Sequence, residues 1–479
     1  MSSDGIEHAD VVIVGSRCAG SAAAVPLARA GRKVVLLDKS RFPSDQLSTH
    51  VLVPNGVAEL QHMGALPHAL ALGPTRSRYL GLFIGDDVAV RERFTAVDGI
   101  DYGLCIPRTQ QDTCLVAAAR EAGADVREKC LVEDVVWEDG RAVGVRYREN
   151  RTGVKEIRAR LVVGADGRRS RIASEVGSWQ PYRGSLNGRG FAFRYMDDPQ
   201  ADTVDAETYG VYRLGRATCL TLPSSPRGRL EVVFMAPAED IPHFQADTER
   251  TWAARVAENP MLAERLAGAT NPDSLRATAK LSSYYRASTG PGWVLAGDAG
   301  HFKDPVVGQG QRDALRHGRL LGEDVRGVLD DPSALDAALR RWERRRDRDT
   351  RSTYHWGNRE TRSAAPSLLV REAFRTFAGS DTPDASDTFN RIRKVERIIG
   401  PTRLGTALVK ALATPGADRR EVLREVAAEV PIEIGIRAET LRDRFRYAGW
   451  APSERPGWDV GPAPVSRATT LTLDEKSLP

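Results

Sequence analysis

The segment from Val11 to Asp38 constrains the fold more than any other stretch of the chain. An apolar strand, Val11-Val-Ile-Val14, runs into a turn at Gly15, an Ala-rich helix follows to about Ala30, Gly31 stops it, and a second strand, Lys33–Leu37, ends in Asp38. This is one complete βαβ unit. Gly15 and Gly20 occupy the first and third glycine positions of a G-x-G-x-x-G turn: the first permits the tight turn and the third lets helix and strand pack closely. The helix start then offers free N–H groups and the positive end of its dipole to a pyrophosphate. Arg17 stands in place of the middle glycine, so its side chain must either point away or serve as an additional phosphate or adenine contact. Asp38 ends the second strand at the spacing from which a carboxylate takes hydrogen bonds from adenosine ribose hydroxyls. A phosphate-free turn with a surface Asp is the bland alternative, and the placement of Asp38 weighs against it.

Two further strand ends repeat the theme, Val162-Val-Gly-Ala-Asp166-Gly167 and Trp293-Val-Leu-Ala-Gly297-Asp298-Ala-Gly300. Each places an acid and a glycine at the mouth of a parallel sheet. Past the second, Pro305, Gly308 and Gly310 open a helix whose N–H groups suit an anionic ring edge. Residues 124–163 read as a three-stranded antiparallel meander. Alternating segments at Phe191–Met196, Thr203–Tyr212, Ala217–Leu222, Leu230–Met235 and Arg276–Tyr285, with a helical stretch at 246–268, predict a second, mostly antiparallel sheet. The last helix of the third strand end is expected from about Gly308 to Leu329, and short helices punctuated by Pro and Gly follow beyond Ala334.

The expected division is therefore 1–185 and 286–360 for a nucleotide-binding α/β domain, 186–285 for the inserted sheet domain, 361–450 for a helical region and 451–479 for a Pro-rich tail. A chain of 479 residues with 41% apolar content has enough material for such cores. The charge balance, 69 Lys+Arg against 64 Asp+Glu, leaves +5, well mixed, so nucleic-acid binding is not indicated. The N-terminus is polar and acidic and no 18-residue apolar run occurs, which predicts a cytoplasmic protein with no membrane span. Five cysteines without a C-x-x-C or a Cys/His cluster predict neither disulfides nor a metal site.

Taken together, Gly15…Gly20, Asp38, Asp166-Gly167, Gly297-Asp298, Pro305 and Gly308-Gln-Gly310 resemble the class A flavoprotein monooxygenases of the p-hydroxybenzoate hydroxylase type, and more loosely the geranylgeranyl reductases and flavin-dependent halogenases. The resemblance covers about residues 8–330. It implies a glutathione-reductase-type FAD-binding Rossmann domain carrying an inserted, mostly antiparallel sheet and a helical C-terminal region. It also implies FAD with Gly15, Ser16, Arg17, Cys18, Ala19 and Gly20 at the pyrophosphate turn, Asp38, Lys39 and Arg41 at the adenosine end, and Val132 near adenine. Arg108 would contact the phosphate or ribityl, Gly297 and Asp298 the ribityl or pyrophosphate, and Pro305, Gly308, Gly310 and Gln311 the isoalloxazine. Asp166-Gly167 is similar to the family motif tied to both FAD and NAD(P)H. Two departures stand out: Arg312 sits where many hydroxylases carry Asn, and the absence of W-x-W-x-I-P speaks against halogenation.

The reaction that the resemblance implies is NAD(P)H-driven insertion of one atom of O2, through a flavin C4a-hydroperoxide, into a hydrophobic, aromatic or polyketide-like small molecule. The alternatives are an FAD-dependent reductase or dehydrogenase of the geranylgeranyl-reductase type and a non-catalytic flavin-binding interaction protein. Because the cofactor carries the chemistry, no protein nucleophile is required. Candidate substrate-side groups are His50, His301, Arg194, Tyr195, Tyr209 and Tyr212. Either histidine can hydrogen-bond a phenol, relay a proton or satisfy loop backbone, and strand alternation directs only half of the sheet residues inward. In Lys303-Asp304, the acid is expected to cap the helix after Pro305. A monomer or homodimer is expected, with the helices beyond 365 covering the pocket, dimerising or completing the core.

Overall fold

The computed structural model describes residues 6–445 apart from 46, 49, 86–87, 151–152, 280, 362–364, 379 and 399; the predicted tail 451–479 lies outside the described residues. Strand Ile6–Val14 is central to the first sheet, pairing in parallel with Val34–Leu37 on one side and Val154–Gly164 on the other. Trp293–Leu295 and Asp125–Arg127 extend the parallel order outward, and Cys130–Glu138, Arg141–Glu149 and Val154–Gly164 form the expected antiparallel meander. The side chains of the central strand divide by the two-residue period. Val11 and Ile13 bury against the Cys18–Arg29 helix, whereas Val12 and Val14 bury against Val132, Val135 and Tyr147.

Small residues set how closely the helices on the first face approach. A Cβ on Gly318 would lie 2.5 Å from the Ala19 carbonyl oxygen, and one on Gly322 would lie 2.4 Å from that of Ala23. The Gly310–Val325 helix therefore rests directly on the Ala-rich helix of the βαβ unit. That contact brings its N-terminus beside the Gly15 turn.

The second sheet has seven strands in the order Arg276–Thr278, Arg189–Asp197, Arg229–Pro237, Ala217–Pro223, Thr208–Leu214, Tyr79–Ile84 and Val88–Arg93. Strands Tyr79–Ile84 and Val88–Arg93 thus belong to this sheet, which an unbroken 1–185 nucleotide-binding segment did not separate. Two other expectations change. Val204–Glu207 forms a 3-10 turn, because the Thr203 hydroxyl accepts from the Asp205 amide at 3.2 Å, and the strand starts only at Thr208. The 276–285 segment is two strands, the second of which, Ser282–Tyr285, pairs with Arg183–Leu186 and His301–Phe302 in a small separate sheet.

One face of the seven-stranded sheet, with Phe191, Phe193, Leu222 and Val233, packs toward Val51, Val306 and Val307 of the first domain. The opposite face, with Tyr212, Val232 and Phe234, packs under helices Ile241–Ala246, Thr248–Ala257 and Pro260–Arg265. Beyond residue 331 the chain is helical, beginning with one 29-residue helix, Pro332–Glu360, capped by Asp331. Further on, the Pro and Gly signals do fall at helix boundaries, between Leu368–Ala378, Asp384–Phe389, Pro401–Ala413 and Arg419–Phe445. Among the described residues no helix is long and apolar enough to cross a membrane.

Candidate functional site

The three glycine turns, distant in sequence, meet at one end of the parallel sheet. Gly15 adopts φ +96°, and a Cβ there would stand 2.4 Å from the Ala165 carbonyl oxygen; one on Gly20 would stand 1.9 Å from the Gly15 carbonyl oxygen. Gly297, at φ +59°, would bring a Cβ within 2.8 Å of the Ala19 side chain. Only glycine fits the first two positions, since the obstruction is backbone. The Asp38 carboxylate, buried at the end of its strand, accepts from the Ser16 amide at 2.9 Å, the Ser16 hydroxyl at 3.1 Å and the Ser40 amide at 2.8 Å. Lys39 and Arg41, immediately beyond it, are exposed, and Val132 is packed within the core below the sheet.

Arg17 is held by protein groups beside the turn. Its guanidinium bonds the Asp112 carboxylate and the Ser44 hydroxyl (2.7 Å) and lies over the Phe42 ring at 5.3 Å. Asp112 at the same time receives two bonds from Arg108, each 3.0 Å, so one buried carboxylate orients both arginines at the cofactor turn. Asp112 stands four residues after Arg108 on the same helix, a spacing that could have revealed it in the sequence. Cys18 is buried behind this turn, and desolvation pushes its thiol up to about 11.

The other two acids divide their roles. Asp166 braces the start of the Arg171–Glu175 helix, whose cap is Ser170, accepting from the Ser170 hydroxyl at 2.6 Å and the Ile172 amide at 3.1 Å, while burial raises its pKa. Asp298 is raised chiefly by burial and is opposed by the charges of Arg168, Arg108, Lys303 and Arg286. Tyr284 holds the Asp298 carbonyl at 2.6 Å, and Arg286 holds that of Ala299 at 2.9 Å.

In front of the Gly310–Val325 helix, Asp304 caps as expected, its carboxylate accepting from the Val306 amide at 2.9 Å; burial lifts its pKa to about 6. Gly308 adopts φ +61°, which ends the Pro305–Val307 turn, and the helix itself begins at Gly310. A Cβ on Gly310 would meet nothing within 4 Å, so the helix front is open. The Gln111 amide donates to Gln311 Oε1 at 2.5 Å, whereas Gln111 Oε1 and Gln309 Oε1 are buried with no hydrogen-bond partner. A backbone cradle only glycine can form, an open helix N-terminus and two orphaned acceptors beside it fit an adenine dinucleotide with a hydrogen-bonding ring at its far end.

The substrate-side candidates separate by sheet face. His50 is fully buried; its Nδ1 bonds the Tyr195 hydroxyl, and the two rings stack at 5.7 Å. Tyr209 lies on the same face, donating to the Leu52 carbonyl at 3.3 Å. Arg194 and Tyr212 lie on the opposite face and are not brought to this cluster: Arg194 sits 4.0 Å over Trp252 and pairs with Glu249 at 2.6 Å, and Tyr212 stacks on Phe83 at 4.6 Å. His301 packs against Tyr285 at 4.4 Å with its Nε2 buried and unpartnered, and burial holds its pKa well below the usual value.

Sequence reasoning missed Glu231. It lies opposite Tyr195 in register, its Oε1 is 3.6 Å from His50 Nδ1, and its Oε2 accepts from the Cys105 thiol at 3.2 Å. Burial pushes it up to about 8. The one signal was a lone acid in an otherwise apolar strand. Arg312, the departure from the hydroxylase pattern, joins a buried network, bonding Asn55 Oδ1 at 3.0 Å, Asp313 at 2.8 Å and Asp349 at 2.9 Å. Ligand atoms of Asp313, His317 and Asp349 lie within 4.8 Å of one another. Lys303, Arg312 and Arg391 already saturate those carboxylates, so the donor set does not suit a metal ion.

A family profile described as FAD binding domain matches residues 8–352. The menaquinone reductase of Mycolicibacterium smegmatis is 30% identical over 359 residues, which is 69% of this chain and 80% of that protein. Digeranylgeranylglycerophospholipid reductase 1 of Methanopyrus kandleri is 27% identical over 377 residues, 76% of this chain and 92% of its own. Squalene monooxygenase of Mus musculus is 24% identical over 424 residues, 82% of this chain and 65% of the mouse protein. Among solved structures, the myxobacterial chondrochloren halogenase CndH superposes with a TM-score of 0.66 at 22% identity, covering 85% of this chain and 98% of that one. PqsL of P. aeruginosa, in complex with 2-aminobenzoylacetate, gives 0.65 at 21% identity, covering 78% and 99%. The assembled turns and the extent of these matches agree: the chain belongs to the FAD binding domain family within the class A flavoprotein superfamily, and it is an FAD-dependent oxidoreductase.

Proposed function

We propose that the chain is an NAD(P)H-using monooxygenase that transfers one atom of O2 to a hydrophobic small molecule lying between the 308–311 turn and the seven-stranded sheet. The observation that supports this best is the character of that boundary. Val51, Val306 and Val307 beside the turn form one apolar cluster with Phe191, Phe193 and Leu222 of the sheet. Bound FAD would accept hydride from NAD(P)H and activate O2 there. The apolar wall excludes the water that would otherwise intercept a reactive oxygen species and would bind an aromatic or polyketide-like substrate.

The residues of the chain supply position and protons. Gly15, Gly20, Ser16 and Asp38 would hold the adenosine and pyrophosphate, with Arg108 steadied by Asp112. The open start of the Gly310–Val325 helix, with Gln309 and Gln311, would face the ring. His50 and Tyr195, backed by a Glu231 that stays protonated near neutrality, form a buried relay able to take or return a proton of a phenolic substrate. All five cysteines are buried and all have raised pKa values, so none is poised as a thiolate.

A second reading is favoured by the relatives' names: two of them are reductases, of menaquinone and of digeranylgeranylglycerophospholipid. On that reading the same site would deliver hydride to a carbon–carbon double bond of an isoprenoid chain. Reduction of the holoprotein by NADPH or NADH, followed by mixing with isotopically labelled O2 and candidate substrates, separates the two. Labelled oxygen in the product supports monooxygenation; a product two hydrogens heavier with no label supports the reductase.

A further inference from the structure

The family match ends at residue 352, yet three consecutive residues far beyond it, Phe389, Asn390 and Arg391, reach back to the start of the Gly310–Val325 helix and the groups around it. Phe389 accepts the Gln309 side-chain amide on its carbonyl at 2.8 Å, and its ring meets Trp356 edge to face at 5.0 Å. Asn390, fully buried, takes two bonds from Asn55: its Oδ1 accepts the Asn55 backbone amide at 2.9 Å, and its carbonyl accepts the Asn55 side-chain amide at 2.7 Å. Its own side-chain amide donates to the Thr95 carbonyl at 2.8 Å. Arg391 bonds Asp313 at 2.5 Å and the Asp349 carboxylate at 3.1 Å, and it does so from φ +54°, a conformation arginine adopts only where its surroundings impose it.

The landing points of these bonds share one feature. Asn55 is in the first turn of the Pro54–Met63 helix, Gln309 immediately precedes the Gly310–Val325 helix, and Asp313 lies in that helix's first turn. Arg312 links the same groups from within, through Asn55, Asp313 and Asp349. On its other side the Asp384–Phe389 helix, which leads into the tripeptide, is fixed to the edge of the seven-stranded sheet. The Ser386 amide donates to Glu92 at 2.7 Å, the Ser386 hydroxyl to the Arg93 carbonyl at 3.0 Å, and the Thr95 hydroxyl to Asp387 at 2.7 Å.

We propose that Phe389–Arg391 is a strap that sets the position of the Gly308–Gln311 turn against the flavin ring, with Asn390 and Arg391 as positioning residues. The proposal rests on the reading that this turn faces the ring. A helix N-terminus acts on a ring edge through oriented N–H groups, so its influence on the reduced, anionic ring depends on where that turn is held. Gln309 is the pivot, anchored to the strap through its amide nitrogen while its Oε1 has no protein partner. The strap also joins the turn mechanically to the sheet on the substrate side.

The test compares wild type with Asn390→Ala, Arg391→Met and Arg391→Lys, reading FAD affinity, ADP affinity, the flavin midpoint potential and the melting temperature of each apoprotein. ADP reports the adenosine end alone, because that end is built from Gly15, Ser16 and Asp38, none of which touches the strap. The expected result is a shifted potential and FAD affinity weakened about tenfold, the equivalent of one lost hydrogen-bonded anchor, with ADP affinity unchanged and Arg391→Lys intermediate. Should Asn390→Ala fail to fold, Asn55→Ala removes the bond from the Asn55 side chain to the Asn390 carbonyl and leaves the backbone amide bond in place. A potential identical to wild type in every variant overturns the strap, as does a parallel loss of FAD and ADP binding with a lowered melting temperature. A wild-type protein that binds ADP but takes up no FAD overturns the reading of the turn itself.

Discussion

The carboxylate of Asp38 accepts both the amide (2.9 Å) and the hydroxyl (3.1 Å) of Ser16, joining the end of one strand to the glycine turn 22 residues earlier. The acid expected at the ribose therefore also holds the turn expected at the pyrophosphate. Asp38→Asn should weaken FAD binding by about 2 kcal/mol, because a charge-assisted acceptor is replaced by a group that must present one NH2 to the Ser16 donors or to the ribose. Ser16→Ala, which keeps the amide bond, should cost less than half of that. Fluorescence titration of the apoproteins with FAD and with ADP checks both, and equal losses in the two variants would contradict the shared role.

Asp112 receives Arg108 and Arg17 on one buried carboxylate. Removing the acid leaves two cations facing each other in the interior, whereas removing Arg17 leaves Asp112 still paired with Arg108. Asp112→Ala should therefore destabilise by about 3–5 kcal/mol and Arg17→Ala by about 1 kcal/mol. Urea unfolding of the two apoproteins measures the difference, and the ranking reverses if Arg17 rather than Asp112 is the keystone of the cluster.

The contact between the Ala-rich helix and the Gly310–Val325 helix depends on missing side chains. Gly322→Ala would force a methyl to within 2.4 Å of the Ala23 carbonyl oxygen, while Gly327→Ala meets nothing within 4 Å. The first should lower stability by about 1–3 kcal/mol and loosen FAD by displacing the helix front, and the second should change neither. Calorimetry of the two variants distinguishes a packing constraint from a general intolerance of alanine in this region.

The pattern of what could be read from the sequence follows from the range of each interaction. The βαβ unit and the meander were legible because strand, turn and helix signals lie within a few residues of one another, as in Val11–Asp38 and Glu138–Gly140. Asp304 was read as a cap because its partner, Val306, is two residues away. The sheet to which Tyr79–Ile84 belongs could not be read, since its partner, Thr208–Leu214, is more than a hundred residues distant and either sheet offers the same alternating pattern. The faces of Arg194 and Tyr212 stay open in the sequence for a related reason: alternation gives two faces and does not say which one meets the first domain. Glu231 and Arg391 acquire meaning only from His50, Cys105, Asp313 and Asp349, all distant in sequence.

Glu231 makes the last prediction, which concerns pH. Its carboxyl is raised from an ordinary 4.5 to about 8 by burial, so the folded protein binds this proton more tightly than the unfolded chain does. The sign follows from linkage: the protonated carboxyl contributes its full stability below the unfolded value, and that contribution is lost progressively as pH rises from 4.5 toward 8, levelling off above. Glu231→Gln mimics the neutral form, keeps an oxygen for the Cys105 thiol and cannot ionise. The variant should match wild type near pH 4.5 and become the more stable of the two as pH rises, by about 1.4 kcal/mol for each unit. Melting temperatures of both proteins across pH 5–9 check this; a difference that does not grow with pH would mean that Glu231 is already ionised in the fold, paired with a protonated His50.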